Sequence, residues 1–140
     1  MSGLAFFDTN VLLYAGDRSA PEKKARAMAL FADHLRSERA VISLQVLQEY
    51  FSIATRKFGL TAELAQRNVE ALAQAHAVRF ETQDVIAAIE LHRLTRISFW
   101  DAMIVHAARS AGADVLYSED LSTGRVIGGV KIQNPFATER

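Results

Sequence analysis

The sequence predicts an α/β fold, with a central parallel sheet of about five strands and helices on both of its faces. Two observations carry this expectation. Short apolar runs of strand character alternate with longer stretches of helical spacing, and parallel neighbours in a sheet need such crossovers between them. The chain is 140 residues long, 50% apolar and 23% charged, which suits one domain over residues 1–140 with a sizeable core.

The elements follow in order. Residues 4–7 form an apolar run that stops at Asp8 and reads as a buried strand. A short helix is expected over residues 10–16 and a longer one over 22–36, with Pro21 at its start, where a missing N–H leaves nothing unsatisfied. Val41 and Ile42 make a second strand before Ser43. Residues 44–57 are helical and end at the Phe58–Gly59 turn. Thr61 caps the next helix, in which Leu64, Asn68 and Leu72 recur at helical spacing. Residues 77–80 are a third strand, and 83–95 a helix with Ile86, Ile89 and Leu94 apolar. Ser98 opens a helix that runs to Ala111 and is stopped by Gly112. Residues 115–117 and 130–132 complete the strands.

Composition excludes several classes of chemistry. There is no cysteine, which removes disulfide scaffolds, thiol nucleophiles and thiolate-bound metals. No apolar run approaches the roughly 20 residues of a membrane span. No basic stretch followed by a long apolar core marks a secretory signal, and both absences point to the cytoplasm. Lys plus Arg equal Asp plus Glu at 16 each, so any nucleic-acid binding has to come from a local patch. The glycines between Gly124 and Gly129 form neither a P-loop nor a dinucleotide fingerprint. An aspartyl-nucleophile phosphatase would carry a second Asp where Asn10 stands, and no Gly-x-Ser-x-Gly elbow is present.

The informative residues are acids. Ligands of open parallel sheets bind beyond the carboxyl ends of the strands. Asp8 closes the first strand, and Asp120 follows the fourth; if those strands are neighbours, both face one cleft. Glu49 shares a helical stripe with Val46 and Ile53, and Asp101 one with Ile104, Val105 and Ala108, so both point inward. No Lys or Arg shares either stripe at close spacing. An inward carboxylate is costly unless paired, hydrogen-bonded or metal-bound, which leaves a cation as counter-charge. Three of the acids also have a plainer role. Asp8 and Asn10 read as helix caps, Ser98 with Asp101 as a capping box, and Ser118 with Asp120 as turn residues. Glu49 sits in mid-helix and caps nothing. Four carboxylates in one cleft raise one another's pKa unless a cation intervenes. Oxygen ligands alone suit Mg²⁺ or Mn²⁺, and such a site suits phosphate chemistry.

Four motifs together, Phe7-Asp8-Thr9-Asn10, Ser43 to Glu49, Ser98-Phe99-Trp100-Asp101-Ala102 and Tyr117-Ser118-Glu119-Asp120-Leu121, resemble the PIN-domain signature, and the chain length is that of a VapC-type toxin. The resemblance covers nearly the whole chain. It implies a three-layer α/β/α sandwich and a Mg²⁺- or Mn²⁺-dependent endoribonuclease that cuts structured RNA, tRNA or ribosomal RNA, with metal-activated water. Asp8, Glu49, Asp101 and Asp120 match the family's acidic quartet as catalytic and metal-holding residues. Thr9 and Ser118 match its hydroxyl positions, with Ser118 where Thr is more usual. The segment 94–97 lacks the family's frequent aromatic-glycine turn. The resemblance further implies a homodimer and a cognate antitoxin protein that blocks the cleft. With Thr9 and Ser118, Asn10 is expected to bond carboxylates or substrate, and Arg125 to contact a phosphate beside the cleft.

Two other readings stay open. One is a non-catalytic acidic cleft that docks a basic partner protein; the other is a nuclease directed at DNA or at a particular structure. Lys23, Lys24 and Arg26 read as a solvated helix face. His34, His76, His92 and His106 show no metal-ligand spacing and read as surface or interface residues; Phe99 and Trp100 have the faces to stack on bases, but core packing is the favoured reading.

Overall fold

The computed structural model describes residues 2–121 and 123–137, so the two ends of the expected 1–140 unit lie outside the described residues. Elements run β1 (Ala5–Phe7), α1 (Thr9–Tyr14), α2 (Pro21–Arg36), β2 (Ala40–Ser43), α3 (Leu44–Arg56), α4 (Ala62–Leu72), β3 (His76–Val78), α5 (Thr82–Thr95), α6 (Phe99–Ser110), β4 (Val115–Tyr117), β5 (Val126–Ile127) and β6 (Val130–Gln133). The strands form one sheet in the order β3-β2-β1-β4-β6-β5. Every pairing is parallel except β5 with β6.

Helices flank this sheet. α6 packs on β2, β4 and β6, while α2 and α3 pack on β2. Every residue of β1 and β2 is buried, as expected where helices cover both faces of a parallel sheet. Phe6, Phe7, Ile42, Leu116 and Ile132 are the largest fully enclosed side chains. Helix starts follow the sequence: Ser43, Thr61 and Ser98 each accept a backbone N–H with the side-chain hydroxyl, and such caps contribute about 1 kcal/mol each.

Three details differ from the sequence expectation. The sheet has six strands, not about five. The addition is β5, whose two residues are too few to show a period, turned back onto β6 by Gly128 and Gly129. Both glycines have positive φ (59° and 82°), as two-residue hairpin turns of the mirror-image type require. β3 ends at Val78 instead of residue 80, because its partner β2 ends at Ser43, opposite Val78. Finally, three histidines are at least partly buried. His34 stacks edge-on with Phe7 and Tyr117. His92 Nδ1 bonds the Ile97 carbonyl. His106 lies between Arg109 Nη2 (2.7 Å) and Asp84 Oδ1 (2.9 Å). Arg109 only donates, so His106 Nδ1 accepts, and Nε2–H donates to Asp84. This chain ties α5 to α6.

Candidate active site

β1 and β4 are neighbours, and strand order reverses between them, since β2 and β3 continue on one side and β6 and β5 on the other. The register sets Phe7 opposite Tyr117, so the next residues, Asp8 and Ser118, meet at the carboxyl edge. Asp8 N–H still donates to Tyr117 O at 3.0 Å, which holds the chain in line just before α1 begins. The Asp8 side chain then caps α1, accepting Thr9 N–H on Oδ1 at 2.7 Å and the Ser118 hydroxyl on Oδ2 at 2.8 Å. Ser118 is fully enclosed and Asp8 is only 6% exposed.

The four acids line one cleft of about 120 Å³. Thr9, Asn10 and Gln45 supply further polar wall, and Leu13, Ile53, Trp100 and Ile104 the apolar wall. Glu49 reaches it from the middle of α3, half-buried, with the Thr9 hydroxyl at 3.4 Å from Oε1. Asp101 reaches it from the first turn of α6. Its N–H donates to the Ser98 hydroxyl, but its half-buried side chain lines the cleft and accepts no bond from Ser98 N–H, so the expected capping box is only half formed. Asp120 is the exposed member, on the loop after β4.

Burial, more than mutual repulsion of the carboxylates, sets the electrostatics of Asp8 and Glu49. Burial pushes the Asp8 pKa up from 3.8 to about 6, with smaller upward contributions from Glu49 and Asp101, against the lowering hydrogen bonds of Ser118 and Thr9. Glu49 is also raised, first by burial and then by Asp101, against hydrogen bonds from Gln45 and Thr9. Among the described residues no cationic side chain lines the cleft.

The donor set is all oxygen and fits a hard divalent cation. Among the described residues no three acids converge closely enough to enclose an ion.

A brace that sequence spacing does not reveal holds the Asp120 loop. Glu119 accepts from Lys23 Nζ at 2.6 Å and from the Tyr14 hydroxyl at 2.8 Å, and its N–H donates to Asn10 Oδ1 at 3.2 Å. Lys23 also stands 4.6 Å over the Tyr14 ring. Partial burial raises the Glu119 pKa, but the bonds from Lys23 and Tyr14 outweigh it and the net shift is downward. Lys23 is thus an ion-pair partner and not only a solvated residue, and Arg26 donates to the Pro135 carbonyl. Arg125 is exposed in the turn before β5 and is not among the residues lining the cleft. A larger groove of about 1090 Å³, between α2 and the segment after β6, contains none of the four acids.

A family model, the PIN domain, matches residues 5–126. No curated protein matches the chain significantly. Several solved structures share the fold. The Mycobacterium tuberculosis toxin VapC20, which cleaves the sarcin–ricin loop, is 20% identical with a TM-score of 0.65, over 83% of this chain and 89% of that one. Rickettsia felis VapBC2, bound to a promoter DNA fragment, is 18% identical at TM-score 0.70, over 94% and 98%. DNA-bound VapBC of Salmonella typhimurium is 22% identical at 0.69, again over 94% and 98%.

Proposed function

This chain belongs to the PIN-domain family, and we propose that it is a metal-dependent endoribonuclease acting as the toxin of a toxin–antitoxin pair. The observation that carries the proposal is that Asp8, Glu49, Asp101 and Asp120 line one cleft in which, among the described residues, no cationic side chain balances them. A docking surface for a basic partner has no need to hold Asp8 under an enclosed Ser118, at a pKa raised to about 6. The toxin reading takes support from the fold likeness to VapC and VapBC proteins.

Asp8, Asp101 and Asp120 would hold Mg²⁺ or Mn²⁺, directly or through water, with Glu49 beside them. When bound, the cation neutralises charge on the scissile phosphate and acidifies a water. Ser118 and Thr9 fix the Asp8 carboxylate, so its oxygens are set before substrate arrives. Glu49, whose carboxyl pKa burial raises, would orient the attacking water and accept its proton. In-line attack at phosphorus leaves a 5′-phosphate and a 3′-hydroxyl. Asn10 sets the backbone of the Asp120 loop through Glu119 N–H. Arg125 is proposed to contact phosphate beside the cleft.

The substrate is structured RNA, with tRNA and ribosomal RNA as the candidate classes. A cognate antitoxin would cover the cleft. The working form is a homodimer, and exposed Ile86, Ile89 and Leu94 on α5 offer apolar surface that a second copy would bury. No helix among the described residues is long and apolar enough to cross a membrane, and the proposed place of action is the cytoplasm.

The test is cleavage of labelled tRNA and ribosomal RNA by the purified protein with Mg²⁺, Mn²⁺ or EDTA, beside Asp101→Asn. Discrete cuts that need both metal and Asp101 support the proposal. Full activity in Asp101→Asn removes it.

A further inference from the structure

Trp100 stands where its residue type is unexpected. It is 63% exposed, although an apolar residue beside buried Ala102 would ordinarily pack inward. Helical phase explains the placement. Asp101 faces the cleft with Ile104, and Trp100, one position earlier, is turned by about 100°. The indole nevertheless lines the same cleft as Asp8, Asp101 and Asp120, at its rim. Half-buried Phe99 supports it from one side, with ring centroids 5.3 Å apart and planes at 64°. The ring is therefore braced, open to solvent and adjacent to the carboxylates.

We infer that Trp100 is a stacking platform for one unpaired nucleobase of the RNA, next to the phosphate that is cut. This inference rests on the nuclease reading and adds to it a positioning residue and a substrate feature. The cleft is acidic and repels a phosphate backbone. An uncharged base face against indole provides attraction that such a site otherwise lacks, and it does so without regard to base identity. Bases inside a duplex are already stacked on their neighbours. The platform thus selects a loop, bulge or single strand.

Trp100 is the only tryptophan in the chain, so its fluorescence reports this one position. The experiment titrates the full-length protein in EDTA with a short unstructured RNA, with the same RNA carrying abasic positions, and with a perfect RNA duplex. The binding of labelled RNA is followed in parallel. Stacking predicts quenching by the unstructured RNA, little by the abasic RNA and little by the duplex. Trp100→Ala is expected to weaken unstructured RNA about tenfold or more, with duplex affinity unchanged and Trp100→Phe partly restoring binding. The exposed position lets both variants fold, which circular dichroism verifies. Unstructured RNA that binds and is cleaved with metal, yet leaves the fluorescence unchanged, overturns the platform while the nuclease reading stands. A change seen only with a basic peptide, and not with RNA, assigns the ring to a protein partner and also overturns it. Absence of RNA binding here, together with intact tRNA and ribosomal RNA after incubation with metal, removes the nuclease reading, and the inference with it.

Discussion

Replacing Asp8 with Asn is expected to stabilise the metal-free protein at neutral pH, at the cost of its activity. Asp8 titrates near 6 in the fold against an ordinary 3.8, because burial disfavours its charged form. The gap is roughly two pH units at ~1.4 kcal/mol each, so ionised Asp8 costs the native state about 3 kcal/mol. Below pH 3.8 the group is protonated in both states and costs nothing; the penalty grows as pH rises to about 6 and is then constant. Asn keeps the neighbouring bonds. Its oxygen still accepts Thr9 N–H, and its amide donates to the Ser118 hydroxyl, which can reverse its role. Urea unfolding in EDTA at several pH values between 4.5 and 7.5 measures the difference between variant and wild type. The expected difference is small at the acid end and reaches about 2–3 kcal/mol in favour of Asn above pH 7. Excess Mg²⁺ is expected to raise wild-type stability and leave Asp8→Asn nearly unchanged. A variant less stable than wild type at pH 7.5, or a difference that does not vary with pH, refutes the reasoning.

Other perturbations reach the supports of the site. Ser118→Ala removes a hydroxyl that lowers the Asp8 pKa, so that pKa climbs further above 3.8 and the acid limb of the pH–rate profile moves to higher pH; an unmoved limb contradicts this. Lys23→Met frees Glu119 and the loop that carries Asp120, and is expected to lower the cleavage rate by up to about 100-fold with little change in melting temperature, read from single-turnover kinetics and a thermal scan. His106→Ala leaves Asp84 and Arg109 without their shared partner and is expected to cost about 1–3 kcal/mol in urea unfolding, with metal-dependent cleavage retained.

Three of the four acids stand out in sequence because each breaks a local pattern. Asp8 ends an apolar strand, Glu49 lies on an apolar stripe far from either helix end, and Asp101 shares the inward phase of Ile104. The adjacency of β1 and β4 did the rest, and only the three-dimensional order establishes it. The same helical phase that turns Asp101 inward turns Trp100 outward, so its exposure was recoverable. Residue type alone favours the core for Trp over stacking on a base, and here helical phase is the better guide. The Lys23–Glu119 pair was not recoverable, since the partners stand 96 positions apart and no local spacing relates them. His106 reads as a surface or interface residue for a related reason: its partner Asp84 belongs to another helix, so no spacing within α6 reveals the bond. β5 escaped because a two-residue strand has no period, although Gly128-Gly129 is itself a hairpin signal.

The central claim is that the acidic cleft hydrolyses RNA with a divalent cation, and the ends of the products test it most directly. Cleaved RNA would be mapped for its termini, from wild type with Mg²⁺ or Mn²⁺, from wild type in EDTA, and from Asp101→Asn. The account predicts 5′-phosphate and 3′-hydroxyl ends with metal, and intact RNA in the other two reactions. Cleavage that persists in EDTA, or that leaves 2′,3′-cyclic phosphates, would contradict it.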